Sequence, residues 1–276
     1  MDSFRRDGLV FDVRDTGPAD GEPVVLLHGF PQDARAFDRL SAALHPGGFR
    51  TLAPDQRGYS PGARPRGRSA YRTRELVADV LALLDTAGLS TAHVVGHDWG
   101  GGGAWALGAW HPDRLRTLTV LSTPHPGAMA GALIGSDQLL RSYYMGLFQL
   151  PVLPERVLLA GDGAALRRAL RRGGLPADAV ERYVRRMQEP RALTSALNWY
   201  RALPWGARDR VGRVGVPTLH VWSTGDAFLG RSATEGTAPF VTGPYRLEVL
   251  DGVPHWIPEL AAERVAELFR AQAATR

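Results

Sequence analysis

The stretch from His93 to Gly103 constrains the fold of this chain more than any other. A short β-branched apolar run passes, through a glycine-rich junction, into an Ala/Leu/Trp-rich segment with the composition of a helix. The centre of the junction is Gly96-His97-Asp98-Trp99-Gly100. Glycines two residues before and after the centre let the strand and helix backbones approach closely, so that the central side chain projects from the turn. Asp98 therefore has the position of a nucleophile, although an aspartate here could instead cap the helix.

The composition is that of a globular chain with a full core. Its 276 residues, 44% of them apolar, suit one large α/β domain with an insertion, or two small domains. No stretch approaches the ~18 consecutive apolar residues that a membrane-spanning helix requires. Residues 1–10 are polar and lack a signal-peptide core, and cysteine is absent. We therefore predict a cytoplasmic protein with no disulfide and no membrane partner.

The positive charge of the chain does not indicate a nucleic-acid partner. The net charge of +5 comes from arginine alone, since the sequence contains no lysine, a bias typical of GC-rich genomes. The densest arginine cluster, within residues 167–186, has helical spacing and is accompanied by no nucleic-acid-binding motif. This pattern predicts a solvated helix face, and we expect no nucleic-acid binding.

A second strand end supplies a candidate anion-binding group. Val24 to Leu27 is fully apolar, as is typical of a buried parallel strand, and it runs into His28-Gly29-Phe30-Pro31. This turn places the backbone N–H of Phe30 at the carboxyl edge of the sheet, where open α/β sheets bind ligands. Because the turn occurs together with the Asp98 junction, we interpret it as half of an oxyanion hole rather than an ordinary strand-to-helix turn.

Two more polar residues follow predicted strands near the end of the chain. One strand, Thr218 to Ser223, leads to Asp226, and another, Tyr245 to Leu250, leads to His255. Either residue alone could be an ordinary loop residue, since Asp226 lies beside a glycine in a turn. However, the carboxyl ends of parallel strands meet at one edge of a sheet, so both side chains are expected to lie near Asp98. The order nucleophile, acid, histidine argues for a catalytic triad.

Strand patterns disappear between residues 127 and 210. This segment is rich in arginine, leucine and aromatic residues and has the patterns of helices. A helical insertion between two strands of a β/α alternation is typical of a lid over the carboxyl edge of the sheet. We predict a core of residues 1–126 and 211–276 and a helical lid of residues 127–210, which act as one functional unit.

The core motifs resemble the aspartate-nucleophile branch of the α/β-hydrolase superfamily over nearly the whole chain. This branch contains epoxide hydrolases and haloalkane dehalogenases. Epoxide hydrolases carry two lid tyrosines, one four residues before Phe-Gln-x-Pro and one within Asn-Trp-Tyr-Arg. Here Tyr144 precedes Phe148-Gln149-Leu150-Pro151, and Tyr200 lies within Asn198-Trp199-Tyr200-Arg201. We expect the adjacent Tyr143 to pack within the lid instead.

The resemblance implies an α/β-hydrolase fold, with a mostly parallel central sheet flanked by helices, and a covalent reaction on an apolar or aromatic epoxide. Asp98 would open the ring and form an ester, while Tyr144 and Tyr200 would stabilise and protonate the leaving oxygen. A water activated by His255 and Asp226 would then release a vicinal diol. The reaction requires neither a cofactor nor a metal ion.

The resemblance also implies further site residues. The backbone N–H groups of Phe30 and Trp99 would form the oxyanion hole. The substrate pocket would include three side chains from the core and the lid, namely His28, Pro31 and Trp199. The partner is thus expected to be a small epoxide, and the chain could be a monomer or a homodimer.

A haloalkane dehalogenase is the main alternative, because it shares the nucleophile, the acid and the histidine. The indole N–H of Trp99 would suit a departing halide. Against this, Phe30 stands where these dehalogenases often place a halide-binding asparagine, and the lid offers phenols. Fluoroacetate dehalogenases match the opening motif through Gln32, but they need arginines beside the nucleophile, where this chain has Trp99 and Gly102.

Two other classes are weaker alternatives. A non-catalytic small-molecule binder of the same fold would lack one catalytic group, and every expected group is present in the sequence. An ordinary esterase would gain nothing from an aspartate nucleophile, since an aspartyl anhydride offers no advantage over direct hydrolysis. The sequence leaves open which epoxide is used, which ring carbon is attacked and with what stereochemistry.

Overall fold

The computed structural model describes residues 1–206 and 209–275, which form an α/β structure around one eight-stranded sheet. The sheet order is β1-β2-β4-β3-β5-β6-β7-β8. The strands are β1 (Ser3–Arg6), β2 (Leu9–Thr16), β3 (Glu22–Leu27), β4 (Phe49–Pro54), β5 (Ala92–His97), β6 (Leu115–Leu121), β7 (Thr218–Ser223) and β8 (Tyr245–Leu250). Only the β1/β2 and β2/β4 pairings are antiparallel. The predicted mostly parallel sheet is therefore confirmed.

Helices cover both faces of this sheet and fill the long connection between β6 and β7. In the core they are α1 (Asp38–Leu44), α2 (Thr73–Thr86) and α3 (Trp99–Trp110). Between β6 and β7 they are α4 (Pro126–Gly135), α5 (Gln138–Arg141), α6 (Tyr143–Phe148), α7 (Leu153–Arg172), α8 (Ala177–Gln188) and α9 (Ala192–Arg201). The last helices are α10 (Arg231–Glu235), α11 (Ile257–Leu260) and α12 (Ala262–Ala274). Within the described residues, no helix is both long and apolar enough to cross a membrane.

Short 3₁₀ helices and one interruption complete the helical structure. The 3₁₀ helices are Ala34–Phe37, His45–Gly47, Pro61–Ala63, Arg68–Tyr71, Pro112–Arg114, Leu203–Gly206 and Ala238–Phe240. Helix α7 leaves helical backbone angles at residues 160–163. Two helical stretches of the core are divided in two: residues 34–44 form a 3₁₀ helix followed by α1, and α11 and α12 are separated at Ala261.

Strand β3 is apolar and buried from Pro23 to Leu27 because helices cover the sheet on both faces. Successive side chains of a strand point to opposite faces. Accordingly, Val25 and Leu27 of β3 pack into a cluster with α2 and α3, whereas Val24 and Leu26 pack with α1 and α12. Parallel sheets with helices on both sides require such uninterrupted apolar strands. The polar residues that end these strands are therefore concentrated at the carboxyl edge.

We refer to residues 127–210 as the lid segment. It contributes most of a third apolar cluster, which includes Tyr183, Trp199 and Tyr200 together with Tyr59 and Trp256 from outside the segment. The indole N–H of Trp199 donates a hydrogen bond of 2.8 Å to the backbone carbonyl of Arg57. The lid segment thus packs directly on the loops that follow the central strands.

The prediction of a solvated arginine face is wrong for part of helix α8. The guanidinium of Arg186 pairs with the Asp55 carboxylate of the core, and both side chains are largely buried. The guanidinium of Arg182 lies 4.7 Å from the centre of the Tyr183 ring. These arginines stabilise the contact between α8 and the core, a role that helical spacing alone does not reveal.

Candidate active site

Asp98 lies at a strained turn between β5 and α3. Its φ of 50° and ψ of −121° are unusual for a residue with a Cβ atom, and its side chain does not accept the N-cap hydrogen bond from the second or third N–H of α3. The close backbone approach that this turn requires is visible at Gly100, where a Cβ would lie 2.1 Å from the backbone oxygen of Leu27. Backbone strain of this kind persists only where the surroundings enforce it, and it directs the Asp98 side chain away from the sheet.

Two glycines of α3 provide a direct test of this packing. We expect Gly100→Ala to lower the free energy of unfolding by about 3 kcal/mol or more, because its Cβ would collide with backbone rather than with a flexible side chain. At Gly102, a Cβ would meet no atom within 4 Å. Gly102→Ala should therefore be neutral or stabilising by up to ~1 kcal/mol, since alanine favours the helix. Urea denaturation measures both; equal stabilities for the two variants would contradict the close approach.

The two oxygens of the Asp98 carboxylate have different environments. Oδ1 accepts a 2.7 Å hydrogen bond from the backbone N–H of Phe30, and the backbone N–H of Trp99 also bonds the carboxylate. Oδ2 lies 3.8 Å from Nε2 of His255. Burial raises the pKa of the Asp98 carboxyl, although the nearby His255 and the two backbone donors oppose this shift. Backbone hydrogen bonds thus fix Oδ1 of Asp98, and Oδ2 faces His255.

His255 and Asp226 form a hydrogen-bonded pair. Nδ1 of His255 lies 2.8 Å from Oδ2 of Asp226, whose side chain is fully buried. Oδ1 of Asp226 accepts hydrogen bonds from the backbone N–H groups of Phe228 and Leu229, at 2.8 and 3.0 Å. Burial alone would lower the pKa of His255, but the Asp226 and Asp98 carboxylates outweigh it and raise the pKa. The pair therefore leaves Nε2 of an imidazole with a raised pKa facing Asp98.

Both tyrosines identified in the lid segment lie in an aromatic cluster next to Asp98. The Tyr200 ring contacts Trp99 at 4.8 Å and Phe30 at 5.5 Å between ring centroids, and Tyr144 lies 6.1 Å from Tyr200. Burial, together with the Asp98 charge, raises the pKa of both phenols above the usual range. Both hydroxyls are consequently protonated donors at neutral pH.

Tyr143, which the sequence analysis placed within the lid, is 70% exposed. The prediction that it packs inside the lid is therefore wrong, and its ring lies on the outer face of α6. Its neighbour Tyr144 is directed inwards, because adjacent residues of a helix point about 100° apart.

The three predicted pocket residues lie beside this cluster and have different contacts. His28 is fully buried: its Nδ1 bonds the carbonyl of Gly29 at 3.0 Å and its Nε2 accepts from the N–H of Gln56 at 3.2 Å. Both of its ring nitrogens are thus occupied by backbone, and burial lowers its pKa to about 4. Pro31 follows a cis peptide bond and is buried. The Trp199 ring lies 6.0 Å from that of Trp99.

Sequence reasoning missed two aromatic residues of the site, Phe228 and Tyr59. The Phe228 ring lies 5.1 Å from His255 and 5.9 Å from Tyr144, so it links the histidine to the tyrosines. The Tyr59 hydroxyl is buried and has no hydrogen-bond partner among the described residues. Neither position belongs to a periodic pattern, because both lie in loops, and only their contacts in the folded chain identify them.

An open, mostly parallel sheet with this polar edge and this helical insertion defines an α/β-hydrolase. The chain belongs to this family: the sequence profile described as alpha/beta hydrolase fold matches residues 22–262.

Individual relatives and solved structures show which members of the family this chain resembles. The chain is 34% identical to the AB hydrolase superfamily protein YfhM of Bacillus subtilis, over 96% of each chain. It is 31% identical to epoxide hydrolase A of Mycobacterium tuberculosis, over 96% of this chain and 93% of that protein. The crystal structure of epoxide hydrolase A from Mycobacterium thermoresistibile matches with a TM-score of 0.81 and 27% identity, over 99% of this chain and 96% of that one. The predicted similarity to epoxide hydrolases is confirmed.

Proposed function

We propose that this protein is an epoxide hydrolase that converts an apolar or aromatic epoxide to a vicinal diol through a covalent ester on Asp98. The observation that carries the proposal is the position of two protonated phenols, Tyr144 and Tyr200, in one aromatic cluster with the nucleophile turn. Epoxide opening requires a donor to the departing oxygen and a nucleophile on the carbon, and this site combines both. The similarity to epoxide hydrolases supports the same conclusion.

In the first step, Oδ2 of Asp98 attacks an epoxide carbon and the carbon–oxygen bond of the ring breaks. The departing oxygen takes up negative charge, which the hydroxyls of Tyr144 and Tyr200 stabilise before one of them transfers its proton. Oδ1 remains bonded to the backbone N–H of Phe30 and becomes the carbonyl oxygen of the ester. The product of this step is a hydroxyalkyl ester of Asp98.

In the second step, Nε2 of His255 takes a proton from a water molecule that attacks Cγ of Asp98. The negative charge then develops on Oδ1, which already accepts from Phe30 and neighbours the N–H of Trp99. Donors fixed in this way are worth ~3 kcal/mol each. Cleavage of the Cγ–Oδ2 bond, with the proton held by His255 passed to the leaving oxygen, releases the diol, which carries away Oδ2 of the enzyme. The new carboxyl of Asp98 returns its proton to the tyrosinate left by the first step.

The surroundings of Asp98 favour an apolar substrate. Aromatic rings of Phe30, Phe148 and Phe228 pack around the two tyrosines, with centroid separations of 5.0–5.9 Å between the contacting pairs. Such a wall offers apolar and edge-to-face contacts but few polar groups besides the catalytic ones. We therefore propose an aryl or alkyl epoxide without charged substituents.

Single-turnover hydrolysis in ¹⁸O-water tests the proposal. Excess enzyme is mixed with a panel of aryl and alkyl epoxides and haloalkanes, and the diol is analysed by mass spectrometry. Diol that carries ¹⁶O from the enzyme would support both the substrate class and the ester intermediate. Diol labelled directly from water would exclude the ester. Halide release without epoxide turnover would favour the haloalkane dehalogenase alternative, for which Trp99 beside the nucleophile is the supporting observation.

The lid tyrosines distinguish these two activities by substitution. We expect Tyr144→Phe combined with Tyr200→Phe to reduce epoxide ring opening by about 10²–10⁴-fold, because no donor then neutralises the departing alkoxide. Any haloalkane activity should change far less, since a halide needs no proton. Stopped-flow measurement of ester formation gives the rate. Tyr143→Phe, at the exposed neighbouring position, is the matched control and should retain the parent rate. Equal losses on both substrate classes would contradict the role of the phenols.

A further inference from the structure

The side chain of Gln32 joins the loops that carry the proposed catalytic groups. It is fully buried, and its Oε1 accepts a 3.1 Å hydrogen bond from the backbone N–H of Gly29, the residue before Phe30. The same oxygen lies 2.8 Å from Nδ1 of His97, the residue before Asp98. One amide oxygen therefore connects the oxyanion turn, residues 28–31, with the nucleophile turn, residues 96–100.

The amide nitrogen of Gln32 faces a buried carboxylate that the proposed mechanism does not use. Nε2 lies 2.9 and 3.0 Å from the two oxygens of Glu259, a largely buried side chain four residues after His255. Because Gly29 requires an acceptor from Gln32, the amide can only present its N–H₂ group to Glu259. Glu259 thus fixes the orientation in which Gln32 serves the other two loops.

The same carboxylate reaches the lid segment. The hydroxyl of Tyr183, on helix α8, donates a 2.7 Å hydrogen bond to Oε1 of Glu259. Tyr183 is itself fully buried in the cluster that packs the lid segment on the core. Three donor contacts, two from Gln32 and one from Tyr183, converge on two oxygens, an arrangement that favours the ionised carboxylate.

The His97 ring completes the connection to the proposed general base. Its Nε2 lies 2.9 Å from the backbone oxygen of His255, and the two rings are 4.7 Å apart. A displacement of Gln32 would therefore move both Asp98, through the adjoining His97, and the His255 backbone. Because Oε1 of Gln32 and the His255 carbonyl both accept, the one N–H of a neutral His97 ring donates to only one of them. Close packing of the ring against both holds the unit in one arrangement.

We propose that Glu259 is a positioning residue that acts through Gln32 to keep the oxyanion turn, the nucleophile turn and the loop of His255 aligned with one another. Through Tyr183, Glu259 also attaches these three segments to the lid segment. This inference rests on the proposed function, because it assigns Glu259 to the ester-hydrolysis step of that reaction. Ester formation needs only Asp98 and the phenols, whereas ester hydrolysis needs His255 and the oxyanion donors aligned together. Loss of Glu259 should consequently slow the second step more than the first.

The charge of Glu259 also acts on His255, which provides a pH signature. Burial raises the pKa of Glu259 to about 7, while Tyr183, Gln32 and Arg182 oppose the shift. The titratable groups around His255 are the Asp226, Asp98 and Glu259 carboxylates, which raise its pKa, and the neighbouring His97 ring, whose own pKa burial lowers. Arg39 of α1 contacts only the backbone oxygen of Glu259. Removing the Glu259 charge should therefore lower the pKa of His255.

The experiment measures ester formation and ester hydrolysis separately, by single-turnover kinetics with an aryl epoxide between pH 5 and 10. For Glu259→Gln we expect hydrolysis to fall about tenfold or more, which is the effect of a lost hydrogen bond to a charged group. The acidic limb of the hydrolysis profile should move to lower pH, and ester formation should stay within about threefold of the parent. Glu263→Gln, at an exposed glutamate on α12, is the matched control and should change neither rate.

Tyr183→Phe is the second variant and keeps the carboxylate in place. Because the Tyr183 hydroxyl lowers the pKa of Glu259, its loss should raise that pKa. Hydrolysis should then be slow at pH 7 and recover at alkaline pH, which Glu259→Gln should not do. This variant also serves if Glu259→Gln fails to fold.

The outcomes separate the two proposals. Unchanged hydrolysis and an unshifted pH limb in both variants would overturn the positioning role, and so would equal losses in both steps with an unshifted limb, which indicate a merely structural effect. If the parent protein forms no ester with any epoxide, the proposed function itself fails, and this result is seen before any variant is made.

Discussion

Replacing Asp98 with asparagine is expected to lower diol formation by about 10⁴-fold or more, to near the uncatalysed rate. The amide retains an oxygen that can accept from the Phe30 N–H, which Oδ1 of Asp98 does at 2.7 Å, so the turn should keep its shape. It has no charged oxygen in the place of Oδ2, and a neutral amide is a poor nucleophile towards carbon. The loss should thus appear in catalysis and not in folding. Diol formation under multiple-turnover conditions, together with the midpoint of urea unfolding, measures both quantities.

A matched control for this substitution is Asp113→Asn, at an exposed aspartate in the turn after α3. It makes the same chemical change far from the carboxyl edge of the sheet and should leave diol formation unaffected. If the Asp98→Asn enzyme retained diol formation within about tenfold of the parent, the reaction would have to proceed by direct attack of water, and the ester mechanism would be discarded.

The candidate site was largely predictable from the sequence because the order of the strands determines where the residues that follow them lie. Asp98, Asp226 and His255 each follow a strand whose apolar run is visible in the sequence, and parallel strands bring their carboxyl ends to one edge. The 2.8 Å contact between His255 and Asp226 joins residues that lie on loops after neighbouring strands. The order of the strands is enough to predict that His255 and Asp226 lie close together, and no detail of side-chain packing is needed.

The elements that sequence reasoning missed or misjudged depend on contacts between distant parts of the chain. The Gln32–Glu259 contact spans 227 positions, and the Arg186–Asp55 pair spans 131. No periodic pattern encodes such a partner, because the geometry arises only when the lid segment packs on the core. Strand β1 was missed for a related reason: only one of its four residues, Phe4, is buried, so its pairing with β2 determines its conformation.

The two lid tyrosines were predictable in part. Local motifs identified Tyr144 and Tyr200, but the helices around them are short, and α6 spans only Tyr143–Phe148. Tyr144 contacts Tyr200 beside a hydrogen bond of 2.9 Å from the Gln149 amide to the backbone oxygen of Tyr200. Such lid contacts determine pocket shape, and pocket shape rather than the motif decides which epoxide is accepted.

Replacing His255 with glutamine is expected to stop turnover after one equivalent of ester has formed. The first step uses Oδ2 of Asp98 and the lid phenols, and none of these requires a base. The second step loses the group that activates water, which typically contributes about 10²–10⁴-fold. Ester should therefore accumulate, and intact-mass spectrometry should show the protein heavier by one epoxide molecule.

The location and meaning of that adduct can be established with two further variants. His111→Gln, at a histidine after α3 and away from the site, should turn over normally and accumulate no ester. His255→Gln combined with Asp98→Asn should form no adduct, because the nucleophile is missing, and this result would place the ester on Asp98. If the His255→Gln protein alone showed no adduct with an epoxide that the parent hydrolyses, histidine would be needed before carbon–oxygen cleavage. The reaction would then be a direct hydration in which His255 activates the attacking water and Asp98 only stabilises charge.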